Sequence, residues 1–411
     1  PYLPIPITLN PDDALASFAS VLTAVRQTAY RIYLLIDEYD NFANEVLMSS
    51  LGEGRRRYEE LVKGEGIFKT VFKAVKAASS GQGLDRVFIT GVSPIVMADI
   101  SSGYNVAENI YLNPELNHLC GFTEVEIIDL LHQVGQTGAF TIEKAQEALQ
   151  TMRAFYNGYC FSTKASEPIY NPTLALYFLK ALQQDNAYPD EMLDSNLAMD
   201  RTRLIYVTKL GGTKELINAA LNEQEPLTVT TLAQRFGIAE ILSSKKKSTE
   251  YLAALLYYLG VLTLDRRTAL RKLILRIPNL VVRALYVERL RELLLPDVDD
   301  QAAGQQAAET FFVTGDLQPL CNFVEQRLFR AYDNRDYLTA NELTIKTAFL
   351  TLLFNDRLYI VDSETAIQRT YADITLIRRP DLRDEPDLLD LILEFKYVKL
   401  SEVNLDGAAA R

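Results

Sequence analysis

The sequence contains few histidine and cysteine residues on which a reaction could depend. It contains two histidines, His118 and His132, so a histidine-rich zinc site or a serine–histidine–aspartate triad has almost nothing to be built from. The three cysteines, Cys120, Cys160 and Cys321, are scattered and form no CxxC pair, which favours a reducing compartment. Any chemistry must therefore rest on carboxylates, lysines and backbone amides.

Long apolar runs are also missing. No stretch approaches the roughly 18 uninterrupted apolar residues that a membrane-spanning helix needs. The start, PYLPIPITLNPDD, lacks the basic and then apolar order of a signal peptide. The cytosol is the expected location, and no membrane partner is expected. The chain starts on proline and stops where a new helix begins, in SEVNLDGAAAR, so we expect a fragment at both ends.

The charge balance is acidic. The 411 residues carry a net charge of -12, with 48% hydrophobic and 23% charged residues. This balance argues against a surface that binds nucleic acid without specificity, although a local basic groove can exist on an acidic protein. Runs of RRR at 55–57, KKK at 245–247 and RR at 378–379 are each interpreted as solvated faces. The length predicts two or three domains.

The hydrophobic pattern predicts an α/β protein. RIYLLIDEYDNF reads as a strand, residues 66–78 as a helix and DRVFITGVSP as a second strand, which is the order typical of a parallel sheet. From about 123 to 300 the periodicity is mostly helical, and YLAALLYYLGVLTL predicts a helix that turns into a strand at Gly260. The tyrosines in this segment and in YNGYCF are expected to pack in the interior. QAAGQQAAE predicts a linker or a surface helix before a last domain of about 100 residues.

Near the C-terminus, LLDLILEFKYVKL places two charges inside an apolar run. From residue 388 to residue 398 the pattern alternates with period two, which predicts one strand with Glu394 and Lys396 on the same side. An ion removed from water without a partner costs several kcal/mol. The two side chains must therefore form an ion pair, reach solvent at a sheet edge, or hold a metal and a reactant.

A third charge interrupts a neighbouring β pattern. In TYADITLI, Asp373 alternates with apolar residues, and the 21 residues from Asp373 to Glu394 leave room for two antiparallel strands and a polar loop. Two carboxylates and a lysine make a site for Mg²⁺ or Mn²⁺ that suits phosphodiester hydrolysis. The helix predicted from Asn341 turns Glu342 and Lys346 inward on one face.

These residues resemble the PD-(D/E)XK nuclease superfamily, in the branch found at the end of AAA-ATPase-like proteins. The resemblance extends to FFVTGDLQPLCNFVEQRLF, TANELTIKTAFLTLLF and ILEFKYVKL. It implies that Asp373 and Glu394 are metal ligands, that Lys396 handles the attacking water, and that Glu342 supports the metal or its waters. A Glu and Lys two residues apart on an edge strand is also the pattern of an ordinary solvated face.

The N-terminal strand ends in two adjacent carboxylates, Asp37 and Glu38, at the place where α/β sheets bind ligands. YLLIDEYDNF resembles a Walker B element, in which the aspartate holds Mg²⁺ and the glutamate polarises water. The following text, from DRVFITGVSP to GFTEVEI, resembles the AAA-ATPase-like family, and this resemblance places Thr90 as a sensor of the γ-phosphate. No GxxxxGK[ST] occurs, so ATP is expected as a cofactor only of the intact protein and ATPase activity is not expected of this chain.

The sequence thus predicts three parts in an α/β fold. Residues 1–180 form an AAA-like, P-loop-like parallel-sheet domain without its phosphate loop, residues 181–305 a helical connector with a winged-helix-like order, and residues 306–411 a restriction-endonuclease-like α/β domain. The expected function is Mg²⁺-dependent hydrolysis of DNA, coupled in the intact protein to ATP. The alternative is a nucleotide-regulated switch, or a module that binds nucleic acid or protein without cleaving it. The oligomeric state stays open.

Overall fold

The computed structural model describes residues 5–41, 67–80, 83–92, 94, 108–137, 141–193, 213–221, 226–233, 236, 238–241, 247–328, 342–367 and 370–396. The chain divides into two compact units. The first unit comprises Pro1–Ile110, Lys209–Gly211 and Thr231–Leu259. The second unit comprises Tyr111–Thr208, Gly212–Thr230 and Gly260–Arg411.

Both units contain helices and strands. The helices are α1 (Ala14–Arg26), α2 (Ile67–Ser79), α3 (Glu124–Thr137), α4 (Ile142–Tyr156), α5 (Pro172–Asp185), α6 (Thr213–Leu221), α7 (Ile238–Ile241), α8 (Thr249–Tyr258), α9 (Leu280–Leu294), α10 (Val298–Thr314), α11 (Gln318–Phe323) and α12 (Glu342–Leu353). The strands are β1 (Ile32–Ile36), β2 (Leu84–Ile89), β3 (Thr228–Val229), β4 (Thr263–Arg267), β5 (Leu273–Arg276), β6 (Tyr359–Ile367), β7 (Thr370–Arg378) and β8 (Leu391–Leu393). In the part of the chain described above, no helix combines the length and apolarity needed to cross a bilayer.

The first unit is built on a parallel pair of strands. β1 and β2 run side by side, with Leu34 opposite Val87, which confirms the predicted strand–helix–strand order. Helix α2 packs against β2 and buries Phe72 and Val75, because its apolar residues recur on one helical face. Both strands end at the same edge of the sheet, so the loops that follow them lie together.

The first unit also contains α8, whose start and packing follow from its sequence. Ser248 caps the helix by accepting a hydrogen bond from the Tyr251 backbone N–H at 3.2 Å. The Phe236 ring packs edge-on against Tyr251 and Tyr258, with centroid separations of 4.9 and 5.8 Å. The side chain of Tyr257 is 4% exposed. The prediction that these aromatic residues serve packing is confirmed.

The helices of the second unit pack closely where small residues allow it. QAAGQQAAE lies inside α10, so the alternative that this segment is a linker is wrong. Gly304 is buried, and a β-carbon added there would meet Leu352 of α12 and Phe323 of α11 at 3.0 Å. The absence of a side chain at Gly304 therefore lets α10 lie against both neighbouring helices.

The YNGYCF segment, residues 156–161, packs against several distant parts of the second unit. Tyr156 is fully buried, and its hydroxyl donates to the backbone carbonyl of Met192 at 3.1 Å. Gly158 has φ +108° and sits directly against the backbone of Pro278. Cys160 pairs with Thr263 of β4 through two hydrogen bonds, of 2.7 and 2.9 Å. The predicted interior packing of this segment is confirmed, and the segment fixes the base of the β4–β5 hairpin.

The C-terminal sheet is antiparallel in the order β6-β7-β8 and follows α12 in the chain. Ile374 lies opposite Leu393, and both are buried. The predicted strand from 388 to 398 is too long, because the described β8 covers only Leu391–Leu393. Its beginning is set by Asp390, which accepts a hydrogen bond from the Arg378 backbone N–H at 2.7 Å.

Two of the basic runs each contain a buried cation, and Lys245 and Lys246 of one of them lie outside the described residues. Arg379 is 2% exposed, and its guanidinium donates to the backbone carbonyls of Pro189, Asp190 and Arg357 and to the Asp381 carboxylate. Lys247 is also buried, and its Nζ donates to the Glu240 carbonyl. These hydrogen bonds satisfy charges that the sequence pattern assigned to solvent. The run at 55–57 lies outside the described residues.

Candidate functional site

Asp373 lies in the middle of β7 at the surface where the sheet meets α12. Its Oδ2 accepts a hydrogen bond from the Phe395 backbone N–H at 2.7 Å. The Phe395 ring packs on Phe349 of α12, with the ring centroids 5.1 Å apart. The side chain of Asp373 is 13% exposed. The hydrogen bond and the ring contact therefore hold the chain after β8 beside Asp373, as the two-strand prediction requires.

Glu394 and Lys396 follow β8 directly and face solvent. Their side chains are 53% and 75% exposed, and Lys396 Nζ lies 3.4 Å from Glu394 Oε1. Of the three alternatives that the sequence left open, an ion pair in contact with solvent is observed. An exposed pair of this kind contributes at most about 1 kcal/mol to stability, so the pairing alone does not explain the two charges.

Backbone contacts bring the chain after β8 alongside Asp373. Leu393 is paired with Ile374, and the Phe395 N–H donates to the Asp373 carboxylate. Glu394 is the residue between these two contacts, and it directly follows the end of β8.

Lys346 adds a cation that the sequence analysis did not count as a site residue. It lies on α12, its side chain is 9% exposed, and its Nζ is 3.8 Å from Asp373 Oδ1. Its place on the inward face was predicted, but its approach to Asp373 depends on how α12 packs on β7. Glu342 is the first residue of α12, and its side chain lies outside the described residues.

The donor set at this place fits a hard divalent cation. Carboxylate oxygens are the ligands that Mg²⁺ and Mn²⁺ prefer, and Mg²⁺ is commonly bound by one or two carboxylates together with waters. Asp373 of β7 and Glu394, which directly follows β8, supply two such groups. Within the described ranges, no group of three acidic, histidine or cysteine side chains gathers. Water and substrate oxygens would have to complete the coordination.

A second polar cluster lies at the carboxyl ends of β1 and β2. Asp37 Oδ1 accepts hydrogen bonds from the Thr90 hydroxyl and, at 2.9 Å, from the Glu38 backbone N–H. Glu38 has φ +50°, a left-handed conformation that turns the chain sharply after the strand. Asp37 and Glu38 are exposed and Thr90 is half-buried. The structure therefore brings together the three residues that the sequence singled out at this edge.

Asp40 is the residue of this cluster that the sequence analysis missed. It is fully buried, and its Oδ1 accepts a hydrogen bond from the Val92 backbone N–H at 3.0 Å. A β-carbon added to Gly91 would lie 2.4 Å from that carboxylate. Asp40 thus ties the loop after β1 to the loop after β2. A third acid three residues after Asp37, with a glycine following Thr90, is the signal that could have indicated it.

The histidines and cysteines take no part in either cluster. His118 and His132 are exposed. All three cysteines are free thiols, and burial raises the pKa of the Cys160 thiol and of the Cys321 thiol. A raised thiol pKa lowers the thiolate fraction, so neither thiol has the character of a nucleophile.

Comparison with known proteins finds a family model that is similar to one part of the chain. The chain is similar to a protein of Azotobacter chroococcum mcd 1, described as an uncharacterized protein in the vnfD 5′ region, with 24% identity over 275 residues. The match covers 65% of this chain and 44% of that relative, so the chain spans less than half of the relative's length. No solved structure matches the chain. Residues 8–101, which include Asp37, Glu38 and Thr90, match the family model described as Predicted AAA-ATPase.

Proposed function

We propose that the second unit hydrolyses DNA phosphodiester bonds with Mg²⁺ or Mn²⁺, and that in the longer protein this activity is coupled to ATP. The observation that carries the proposal is that the chain after β8, which contains Glu394 and Lys396, is held against Asp373 by the hydrogen bond from the Phe395 N–H. The order of α12 followed by three antiparallel strands supports a restriction-endonuclease-like fold for this region.

The proposed roles follow from the chemistry of each side chain. Asp373 and Glu394 would hold the metal ion between neighbouring strands. A divalent ion at this place would supply Lewis-acid stabilisation of the negative charge that develops on the phosphate. Lys396 is well exposed beside Glu394, so its ammonium can reach and orient the attacking water. Glu342 would support the waters around the ion.

The ATP part of the proposal rests on the first unit. Asp37, Glu38 and Thr90 lie at the carboxyl ends of parallel strands, which is the edge where α/β sheets bind ligands. The match of residues 8–101 to the AAA-ATPase-like family supports nucleotide as that ligand. Asp37 would then hold Mg²⁺ and Glu38 would polarise the attacking water, with the phosphate loop supplied by the longer protein.

Cleavage of supercoiled plasmid by the full chain tests the proposal. Nicking is expected with Mg²⁺ or Mn²⁺ and is expected to be lost with EDTA. Asp373→Asn and Lys396→Gln should each slow nicking by about 100-fold or more. The matched control is Asp384→Asn, at an exposed acid in the loop before β8, which should cut at the wild-type rate. Equal cutting by all three variants, or no cutting with either metal, would refute the nuclease.

A second function is favoured by one observation. Lys346 approaches Asp373 and Lys396 pairs with Glu394, so each carboxylate already has a cation of the protein beside it. A site neutralised in this way suits a nucleotide-regulated module that binds nucleic acid or protein without cleaving it. This function predicts binding that Asp373→Asn leaves unchanged, together with no metal-dependent nicking by the wild-type protein.

A further inference from the structure

The β4–β5 hairpin carries many positively charged side chains, although the protein as a whole is acidic. Residues 266–276 read RRTALRKLILR and contain no acid, whereas the whole chain carries a net charge of -12. Five cations share these eleven residues, namely Arg266, Arg267, Arg271, Lys272 and Arg276. All five are exposed. The segment is therefore a local basic surface of the kind that an acidic net charge does not exclude.

Little of this charge is compensated inside the fold. Asp265 lies in β4 of the hairpin itself, and its carboxylate is 2.5 Å from Arg266 and 3.8 Å from Arg276. Arg271 and Lys272 form no ion pair with any residue that the structure describes. With one carboxylate set against five cations, the hairpin presents a net positive charge to solvent.

The base of the hairpin is rigid. Leu264, Leu273 and Leu275 are buried, with exposed fractions of 2%, 6% and 1%. Two hydrogen bonds join Thr263 to Cys160, and a third runs from the Leu264 backbone N–H to the Cys160 carbonyl at 3.2 Å. The cations thus project from a fixed ribbon, and ordering them against a partner costs less than ordering a free loop.

The tip of the hairpin is also ordered by its own backbone. The Thr268 N–H donates to the Lys272 carbonyl at 2.9 Å, and the Arg271 N–H donates to the Thr268 carbonyl at 2.8 Å. Arg271 has φ +60°, a conformation uncommon for a residue with a side chain. Leu270 at the tip is 82% exposed. The turn therefore holds Arg271 in an uncommon backbone conformation and exposes the apolar side chain of Leu270 at the tip of the hairpin.

We propose that the β4–β5 hairpin binds duplex DNA by contacting its phosphates. Duplex DNA carries one negative charge per roughly 1.7 Å of its axis, which matches a row of cations along a ribbon. A two-stranded ribbon fits the major groove, where an apolar tip such as Leu270 can touch thymine methyl groups. The hairpin contains no aromatic residue to stack on unpaired bases, which favours duplex over single-stranded DNA. Binding here does not require the proposed metal site to be competent.

Fluorescence anisotropy with a labelled duplex tests the proposal on the full chain. EDTA is present throughout, so cleavage cannot contribute and a failed nuclease leaves this result intact. The affinity is measured over a series of NaCl concentrations for the wild type, for Lys272→Gln and for the double variant Arg271→Gln, Lys272→Gln. The matched control is Lys180→Gln, which removes one exposed lysine from α5.

Each lost phosphate contact should reduce the slope of log affinity against log salt by about 0.9. Lys272→Gln should therefore reduce the slope by about 0.9 and the double variant by about 1.8, while Lys180→Gln keeps the wild-type slope. Circular dichroism must show that the hairpin variants are folded. Equal slopes for the hairpin variants and the wild type would overturn the proposal. Tighter binding to a single strand of the same length, or to anionic lipid vesicles, would also overturn it.

Discussion

The Nζ atom of Lys346 lies 3.8 Å from Oδ1 of Asp373, and both side chains are largely shielded from solvent. The contact joins α12 to β7 through opposite charges at the place where we propose that a metal ion binds. A cation that belongs to the fold thus stands beside the carboxylate of Asp373, so this acid has a structural partner whether or not the site is catalytic.

Lys346→Met should destabilise the second unit. The apolar replacement keeps most of the volume of the side chain but leaves the largely shielded Asp373 carboxylate without this cation. Because Asp373 keeps the hydrogen bond from Phe395, the loss should be on the order of 1–2 kcal/mol. Urea unfolding followed by circular dichroism measures the loss. Asp373→Asn added to Lys346→Met should restore part of the stability, because the amide carries no charge, and no recovery in the double variant would contradict the pairing.

Asp40→Ala should cost more stability than Asp37→Ala, although both acids belong to the same loop. Asp40 is fully buried and accepts a hydrogen bond from Val92, so its loss should cost about 1–3 kcal/mol. Asp37 is exposed, so losing the hydrogen bonds that it accepts from Thr90 and Glu38 should cost less, about 0.5–1 kcal/mol. Thermal unfolding of the two variants compares the roles. Equal losses would show that Asp40 does not fix the loop.

Gly158→Ala should disrupt the junction between YNGYCF and the segment before α9. The new β-carbon would lie 1.9 Å from the backbone carbonyl oxygen of Pro278, and the residue would keep φ +108°. Backbone cannot move aside as a flexible side chain can, so the loss should exceed about 2 kcal/mol. Gly260→Ala is the matched control, since φ is +78° there and nothing lies within 4 Å. Its cost should be about 1 kcal/mol, and urea midpoints that fall equally would argue against the close contact.

Asp356→Asn should stabilise the protein at neutral pH. Burial raises the pKa of Asp356 above its ordinary value of 3.8, and the attraction of Arg379 and Arg357 does not fully offset this effect. The folded state therefore carries a cost for ionising Asp356 at any pH above its raised pKa. Below pH 3.8 the group is protonated in the folded and the unfolded state, and the cost vanishes.

The stability gain of Asp356→Asn should consequently be largest near pH 7 and should disappear as the pH falls below 3.8. Urea unfolding at a series of pH values measures it. Asp384→Asn, at an exposed acid in the loop before β8, is the matched control. A gain that grows towards acid would mean that the pKa of Asp356 is lowered.

The sequence predicted the elements whose residues repeat with a clear period. β1, α2 and β2 lie where the pattern placed them, and the parallel pairing brings Thr90 to Asp37, a contact that the pattern did not specify. The pattern could not predict that β8 would end at Leu393. Its length depends on hydrogen bonds with β7, and apolar alternation continues beyond them.

Buried polar residues were the other failure of prediction. Asp40 and Arg379 are hidden because distant parts of the chain supply their hydrogen-bond partners. Period and composition carry no information on such partners. The approach of Lys346 to Asp373 belongs to the same class, since it requires both the helix and the strand to be in place.

The buried guanidinium of Arg379 limits how the C-terminal strands can be exchanged between genes by recombination. It directly follows β7, the strand that carries Asp373, and it donates to the backbone carbonyls of Pro189 and Asp190, which follow α5 nearly 200 residues earlier. A recombination event that moved β6, β7 and β8 into another gene without this loop would leave those donors buried and unfilled. We therefore expect β6, β7 and β8 to be inherited together with the helices that precede them, and not as a separate module.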